Sequence, residues 1–93
     1  RLNELRIGEA VLVKQGVTPF YVIRINAQEV IAPSAVCTHL RCILTYDAAH
    51  RQIVCPCDGG RYDLTGKVIS GPRRPALTLH GVTIREGEVR VRL

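Results

Sequence analysis

Two short stretches decide the fold: Cys37-Thr38-His39-Leu40-Arg41-Cys42 and Cys55-Pro56-Cys57-Asp58-Gly59-Gly60-Arg61-Tyr62. Each opens with a cysteine followed closely by a second donor, Cys37 with His39 and Cys55 with Asp58. Each also carries a spare thiol, Cys42 and Cys57. Thiolate sulfur, imidazole nitrogen and carboxylate oxygen all bind metals, so matched pairs on two loops make a metal site between two hairpin tips. A competing reading places all four cysteines in disulfides and leaves His39 a bystander. Cys55 and Cys57, one residue apart, do not easily bridge each other, so both bonds would then have to cross between the same two loops.

Outside these stretches the chain is small and plain. Its 93 residues make one domain, 46% hydrophobic, with one Phe, three Tyr and neither Trp nor Met. So few aromatics leave a thin core, and a chain of this size usually needs a staple, which the four cysteines can supply. The length excludes a multi-domain enzyme, a Rossmann nucleotide-binding fold and a barrel enzyme. Thirteen Lys and Arg against eight Asp and Glu give a net charge of +5. The arginines are scattered rather than interleaved with aromatics, so no nucleic-acid partner is expected. No apolar run approaches the ~20 residues of a membrane span.

Period-two apolar alternation dominates both ends. Residues 11–14, 20–25 and 29–36 read as successive strands, with turns at 16–19 and 26–28. Residues 77–85 and 88–93 read as a terminal hairpin around Glu86-Gly87, in which Val89, Val91 and Leu93 alternate with Arg90 and Arg92. A helical turn is expected at most at residues 1–5. The class is all-β: an antiparallel sandwich or barrel base, about residues 1–36 and 77–93, with an inserted loop-rich subdomain at about 37–76.

Cys-Thr-His-Leu-x-Cys, followed after twelve intervening residues by Cys-Pro-Cys-x-Gly-x-x-Tyr, resembles the two boxes of the Rieske iron–sulfur proteins. Residues 71–75, Gly-Pro-Arg-Arg-Pro, resemble the proline loop of that family and include Pro72. The resemblance implies a [2Fe–2S] cluster with one iron on two Cys and the other on two His. It assigns Cys37 and Cys55 to one iron, His39 and the residue at 58 to the other, and Cys42 and Cys57 to a disulfide between the loops. Thr38 and Leu40 match residues that shield the cluster, and Tyr62 matches a hydroxyl donor to a ligand sulfur. The disulfide points to the quinol-oxidising, cytochrome bc-like branch and to the extracytoplasmic, for example periplasmic, face of an energy-transducing membrane. Implied partners are a quinol-binding membrane subunit and a c-type cytochrome, with membrane association through an anchor ahead of residue 1. The implied role is that of an electron-transfer subunit of a quinol:cytochrome c reductase-like complex rather than an enzyme on its own.

Three positions depart from the pattern. Asp58 stands where the family has its second histidine, Gly60 where high-potential members carry Ser, and Arg41 where many have Gly. A carboxylate ligand adds one negative charge and the missing Ser removes a donor, so both lower the expected potential and suit a menaquinol-type or other low-potential donor. Asp58 also lacks the imidazole titration that couples quinol oxidation to proton release. Two alternatives remain: zinc on Cys37, His39, Cys55 and Asp58, and a metal-free docking module in which Arg41 and Asp58 form a salt bridge. His50 and His80 read as bystanders, and Arg73 and Arg74 as a solvated pair or a docking patch for an acidic partner. Leu40, apolar at an exposed tip, reads as a shield or a contact for a partner.

Overall fold

The computed structural model describes residues 2–14 and 16–93. A 3-10 turn at Leu2–Glu4 leads into β1 (Ala10–Val13), β2 (Phe20–Arg24) and β3 (Val30–Pro33). Four short strands follow, β4 (Thr45–Asp47), β5 (Gln52–Val54), β6 (Arg61–Tyr62) and β7 (Val68–Ser70), before β8 (Leu79–Arg85) and β9 (Glu88–Arg92) close the chain. There is no α-helix among the described residues, and hence none long and apolar enough to cross a membrane. The helical turn expected at residues 1–5 is this single 3-10 turn, and Arg1 lies outside the described residues.

The strands form two antiparallel sheets, in the orders β1-β2-β3-β8-β9 and β4-β5-β6-β7. Period-two alternation explains the first. On β2, Tyr21 and Ile23 point into the core, while Phe20 and Val22 line an apolar groove with Val11, Val13, Val89 and Val91. The second sheet lies within the loop-rich centre and was not itself expected. Its strands are two to three residues long, shorter than the four or so that alternation needs to register.

One core joins the sheets. Tyr21, Ile23, Ala35, Leu44, Ile53, Tyr62 and Leu77 pack with Cys37 and Cys55, which are 1% and 0% exposed. Polar groups tie the layers: the Tyr21 hydroxyl donates to the Leu44 carbonyl at 2.8 Å, and Tyr46 donates to the Gly8 carbonyl at 2.7 Å. The three tyrosines thus lie at the junction, while Phe20 lines the groove. The two cysteines belong to that core rather than to a solvent-facing tip.

Candidate metal centre

Both cysteine loops have the same backbone design. The Cys37 N–H donates to the Cys42 carbonyl (2.8 Å), and the Arg41 N–H returns to the Cys37 carbonyl (3.1 Å). In the second loop Cys55 donates to Gly60 (2.8 Å) and Gly59 returns to Cys55 (2.8 Å). The returning residue needs positive φ in each case, 57° at Arg41 and 75° at Gly59. The first loop is closed by the bridge between Val36 and Ile43, and the second hangs between β5 and β6. Each loop therefore fixes its own cysteine at the base, with the side chains of His39 39% exposed and Asp58 12% exposed above them. A disulfide, Cys42–Cys57, joins the loops, while Cys37 and Cys55 are free and buried.

The donor atoms converge. The sulfurs of Cys37 and Cys55 and a carboxylate oxygen of Asp58 lie within 4.8 Å of one another. His39 Nδ1 is 2.9 Å from Asp58 Oδ2, while Asp58 Oδ1 accepts the Gly60 N–H at 2.8 Å. Burial pushes the Cys37 thiol up, but the Leu40 and His39 N–H groups, the Tyr62 hydroxyl and Cys55 outweigh it and bring it down to about 7. Cys55 is raised, by burial first and by its neighbour Cys37 next. The two neighbouring thiols are thus shifted in opposite directions. His39, the Gly60 N–H and Arg74 hold the Asp58 carboxyl well below the usual carboxylate range, against its partial burial.

Residues 1–86 match the Rieske [2Fe-2S] domain family. The chain belongs to that family. It is 39% identical over 95 residues to the cytochrome b6-f complex iron-sulfur subunit of Chlorobaculum tepidum, covering 95% of this chain and 52% of the relative. Against the corresponding subunit of Synechococcus elongatus the figures are 37% over 93 residues, 95% and 51%. The chain thus spans about half the length of these relatives. Among solved structures, the cyanobacterial plasma membrane Rieske protein PetC3 of Synechocystis PCC 6803 superposes with a TM-score of 0.81 at 26% identity, covering 90% of this chain and 86% of that one. A hyperthermophilic respiratory Complex III chain shares the fold, with a TM-score of 0.78 at 24% identity, covering 96% of this chain and 69% of that one.

As a Rieske domain the chain carries a donor set that fits the family's [2Fe–2S] group. Two free buried cysteines sit together, an imidazole nitrogen and a carboxylate oxygen sit side by side, and all are atom types that iron accepts as ligands. The flanking residues lie around this set. Tyr62 is fully buried, with its hydroxyl 2.8 Å from Thr38 Oγ1 and 3.6 Å from Cys37 Sγ. Thr38 gives its own proton to the Pro75 carbonyl at 2.6 Å, so Tyr62 is the donor in its 2.8 Å contact with Thr38. Leu40 is 51% exposed beside His39, and Pro72 lies in the exposed loop that crosses the site.

Two expectations are overturned here. Asp58 pairs with His39 and Arg74, not with Arg41, whose exposed side chain leaves the loop at its left-handed turn. Arg73 is exposed as expected, but the side chain of Arg74 is only 1% exposed and sends its guanidinium inward. Sequence reasoning missed Arg74 because an Arg-Arg pair in a Gly/Pro loop reads as surface. Nothing in its local sequence marks the buried partner it finds at Asp58. His50 is a bystander, hydrogen-bonded to Asp47 at 2.8 Å, and His80 packs edge-on against Phe20.

Proposed function

We propose that this domain carries single electrons through a [2Fe–2S] cluster held by Cys37, His39, Cys55 and Asp58, as the head of an iron–sulfur subunit in a quinol-oxidising, cytochrome b6-f- or bc-like complex. The observation that carries the reading is the division of the cysteines. Cys42 and Cys57 are cross-linked, while Cys37 and Cys55 stay free, buried and convergent with Asp58. The subunits named for Chlorobaculum tepidum and Synechococcus elongatus support the parent complex.

When bound, the cluster supplies one-electron redox chemistry. The protein supplies placement and tuning. The sulfurs sit in the core at the sheet junction, where water is excluded, and the Cys37 thiol is shifted down from its ordinary value. His39 has a side chain 39% exposed and is the donor that a quinol can reach. Asp58, ionised throughout the neutral range, adds negative charge and lowers the potential relative to an imidazole at 58. A carboxylate at 58 does not offer the imidazole titration that couples quinol oxidation to proton release. Exposed Leu40 beside it presents an apolar contact to the quinol-binding subunit, with a c-type cytochrome as electron acceptor. The loop disulfide suits an oxidising, extracytoplasmic compartment.

Iron and acid-labile sulfide, counted on freshly isolated protein and on Cys37→Ser and Cys55→Ser variants, test this reading. Two irons and two sulfides per chain, lost in both variants, are expected. Zinc in their place, or a metal-free protein under conditions that load a relative with histidine at 58, overturns it and leaves a structural or docking module.

A further inference from the structure

Among the described residues, Arg74 is the one arginine whose side chain enters the donor cluster. Its Nη2 donates to Asp58 Oδ2 at 2.8 Å, its Nη1 lies 3.3 Å from Cys37 Sγ and 3.5 Å from Tyr62 Oη, and its Nε donates to the Pro72 carbonyl at 2.8 Å. The guanidinium carbon sits 5.6 Å from the Tyr62 ring centroid, over its face. Burying a guanidinium costs several kcal/mol unless it is paired and its donors are engaged, so this placement is tied to its partners.

Room for it comes from residue 60. A Cβ on Gly60 would stand 2.7 Å from Cζ, Nη1 and Nη2 of Arg74, closer than such atoms approach, so a side chain at 60 would displace the guanidinium from its present place. Asp58 is the carboxylate the guanidinium pairs with. Two of the positions at which this chain departs from the Rieske pattern are thus in direct contact with one residue of the loop that covers the site.

We propose that Asp58, Gly60 and Arg74 form a single unit. In it the Arg74 guanidinium, admitted by the absent side chain at 60, is the counter-charge to Asp58 and a hydrogen-bond donor to the Cys37 sulfur. The unit deepens the cluster reading above and rests on it. A carboxylate at 58 with a cation beside it carries the same summed charge as a neutral imidazole, so the potential falls by less than an unpaired carboxylate would impose. The donor lost with a hydroxyl side chain at 60 is replaced, in the same space, by guanidinium N–H groups. Arg74 is accordingly a positioning and tuning residue.

The test uses the full chain reconstituted with iron and sulfide, with midpoint potentials measured for the unaltered protein, Arg74→Gln, Arg74→Lys, Gly60→Ala and Gly60→Ala/Arg74→Gln. Arg74→Gln is expected to shift the reduction equilibrium at least tenfold toward the oxidised form, about 59 mV for a one-electron couple. Arg74→Lys recovers part of that shift. Gly60→Ala lowers the potential in the Arg74 background and changes it less than twofold on top of Arg74→Gln. A potential unmoved by Arg74→Gln, or a Gly60→Ala shift equal in both backgrounds, overturns the unit. If the unaltered chain takes up no iron, the cluster reading fails by itself, and the unit is judged on unfolding of the metal-free chain. There Asp58→Asn and Arg74→Gln must be non-additive by at least tenfold in the unfolding constant, and additive effects overturn it.

Discussion

Removing the Cys42–Cys57 cross-link with the double substitution Cys42→Ala/Cys57→Ala isolates what holds the two donor loops together. Each loop is closed by its own backbone hydrogen bonds, so the substitution leaves the loops intact and frees only their relation to each other. The cross-link spans a sequence separation of 15, for which loop-closure entropy gives a stabilisation of roughly 3 kcal/mol. Cys57 is exposed and Cys42 half-buried, so truncation to Ala adds little cavity cost. With an unfolding entropy of about 2.1 cal/mol/K per residue, a chain of this length should lose about 15 °C in Tm. The assay is thermal unfolding by circular dichroism of metal-free protein in chelator, with the reduced unaltered chain as a second route to the same state. Both should fall by a similar amount. In metal-loaded protein the loss should shrink, because a metal on Cys37, His39, Cys55 and Asp58 ties the same two loops and the two cross-links are not additive. A drop under about 4 °C in the metal-free chain would refute the disulfide as the main tie between the loops.

Three further outcomes follow from particular residues. Asp58→His should raise the midpoint potential and introduce a pH dependence near neutrality, because a neutral titrating ring replaces a fixed anion; if neither changes, Asp58 is not a ligand. Asp47 is held down to about 2 by its pairing with Arg61 first and with His50 next. A carboxylate with a depressed pKa stabilises the fold above its unfolded value of about 3.9 and loses that contribution as pH falls through about 2. Acid unfolding of Asp47→Asn should therefore be shallower than that of the unaltered chain across this window, and identical profiles would contradict the pairing. Arg41→Gly removes a non-glycine residue from φ 57°, relieving roughly 1–2 kcal/mol of strain against 0.4–1 kcal/mol of added unfolded-state freedom. A net gain of about 0.5–1 kcal/mol in denaturant unfolding is expected, and a net loss would show that the Arg41 side chain stabilises its loop.

The outer strands were legible because their alternation is long enough to read. Residues 20–25 and 88–93 were expected as strands, and β2 and β9 occupy Phe20–Arg24 and Glu88–Arg92. The second sheet was hidden by its length: β6 is only Arg61–Tyr62, and it is held by pairing to β5 and β7 rather than by its own pattern. At the site, Cys37, His39, Cys55 and Asp58 stood out by spacing, and the structure brings them together. Burial did not stand out. Cys37 and Cys55 are core residues as well as donors, which gives a small, aromatic-poor domain a reason to keep both apart from function. Arg74 was invisible for the complementary reason: its role depends on a contact sixteen residues away in sequence, with Asp58, and on empty space above Gly60.

The central claim is a one-electron centre at Cys37, His39, Cys55 and Asp58, and an EPR-monitored redox titration of freshly isolated protein tests it most directly. A Rieske-type centre with this donor set predicts a rhombic signal, with average g below that of all-Cys ferredoxins, that appears on reduction as a single one-electron wave. Iron-containing protein with no such signal at any potential, or a signal retained after Cys55→Ser, would contradict it.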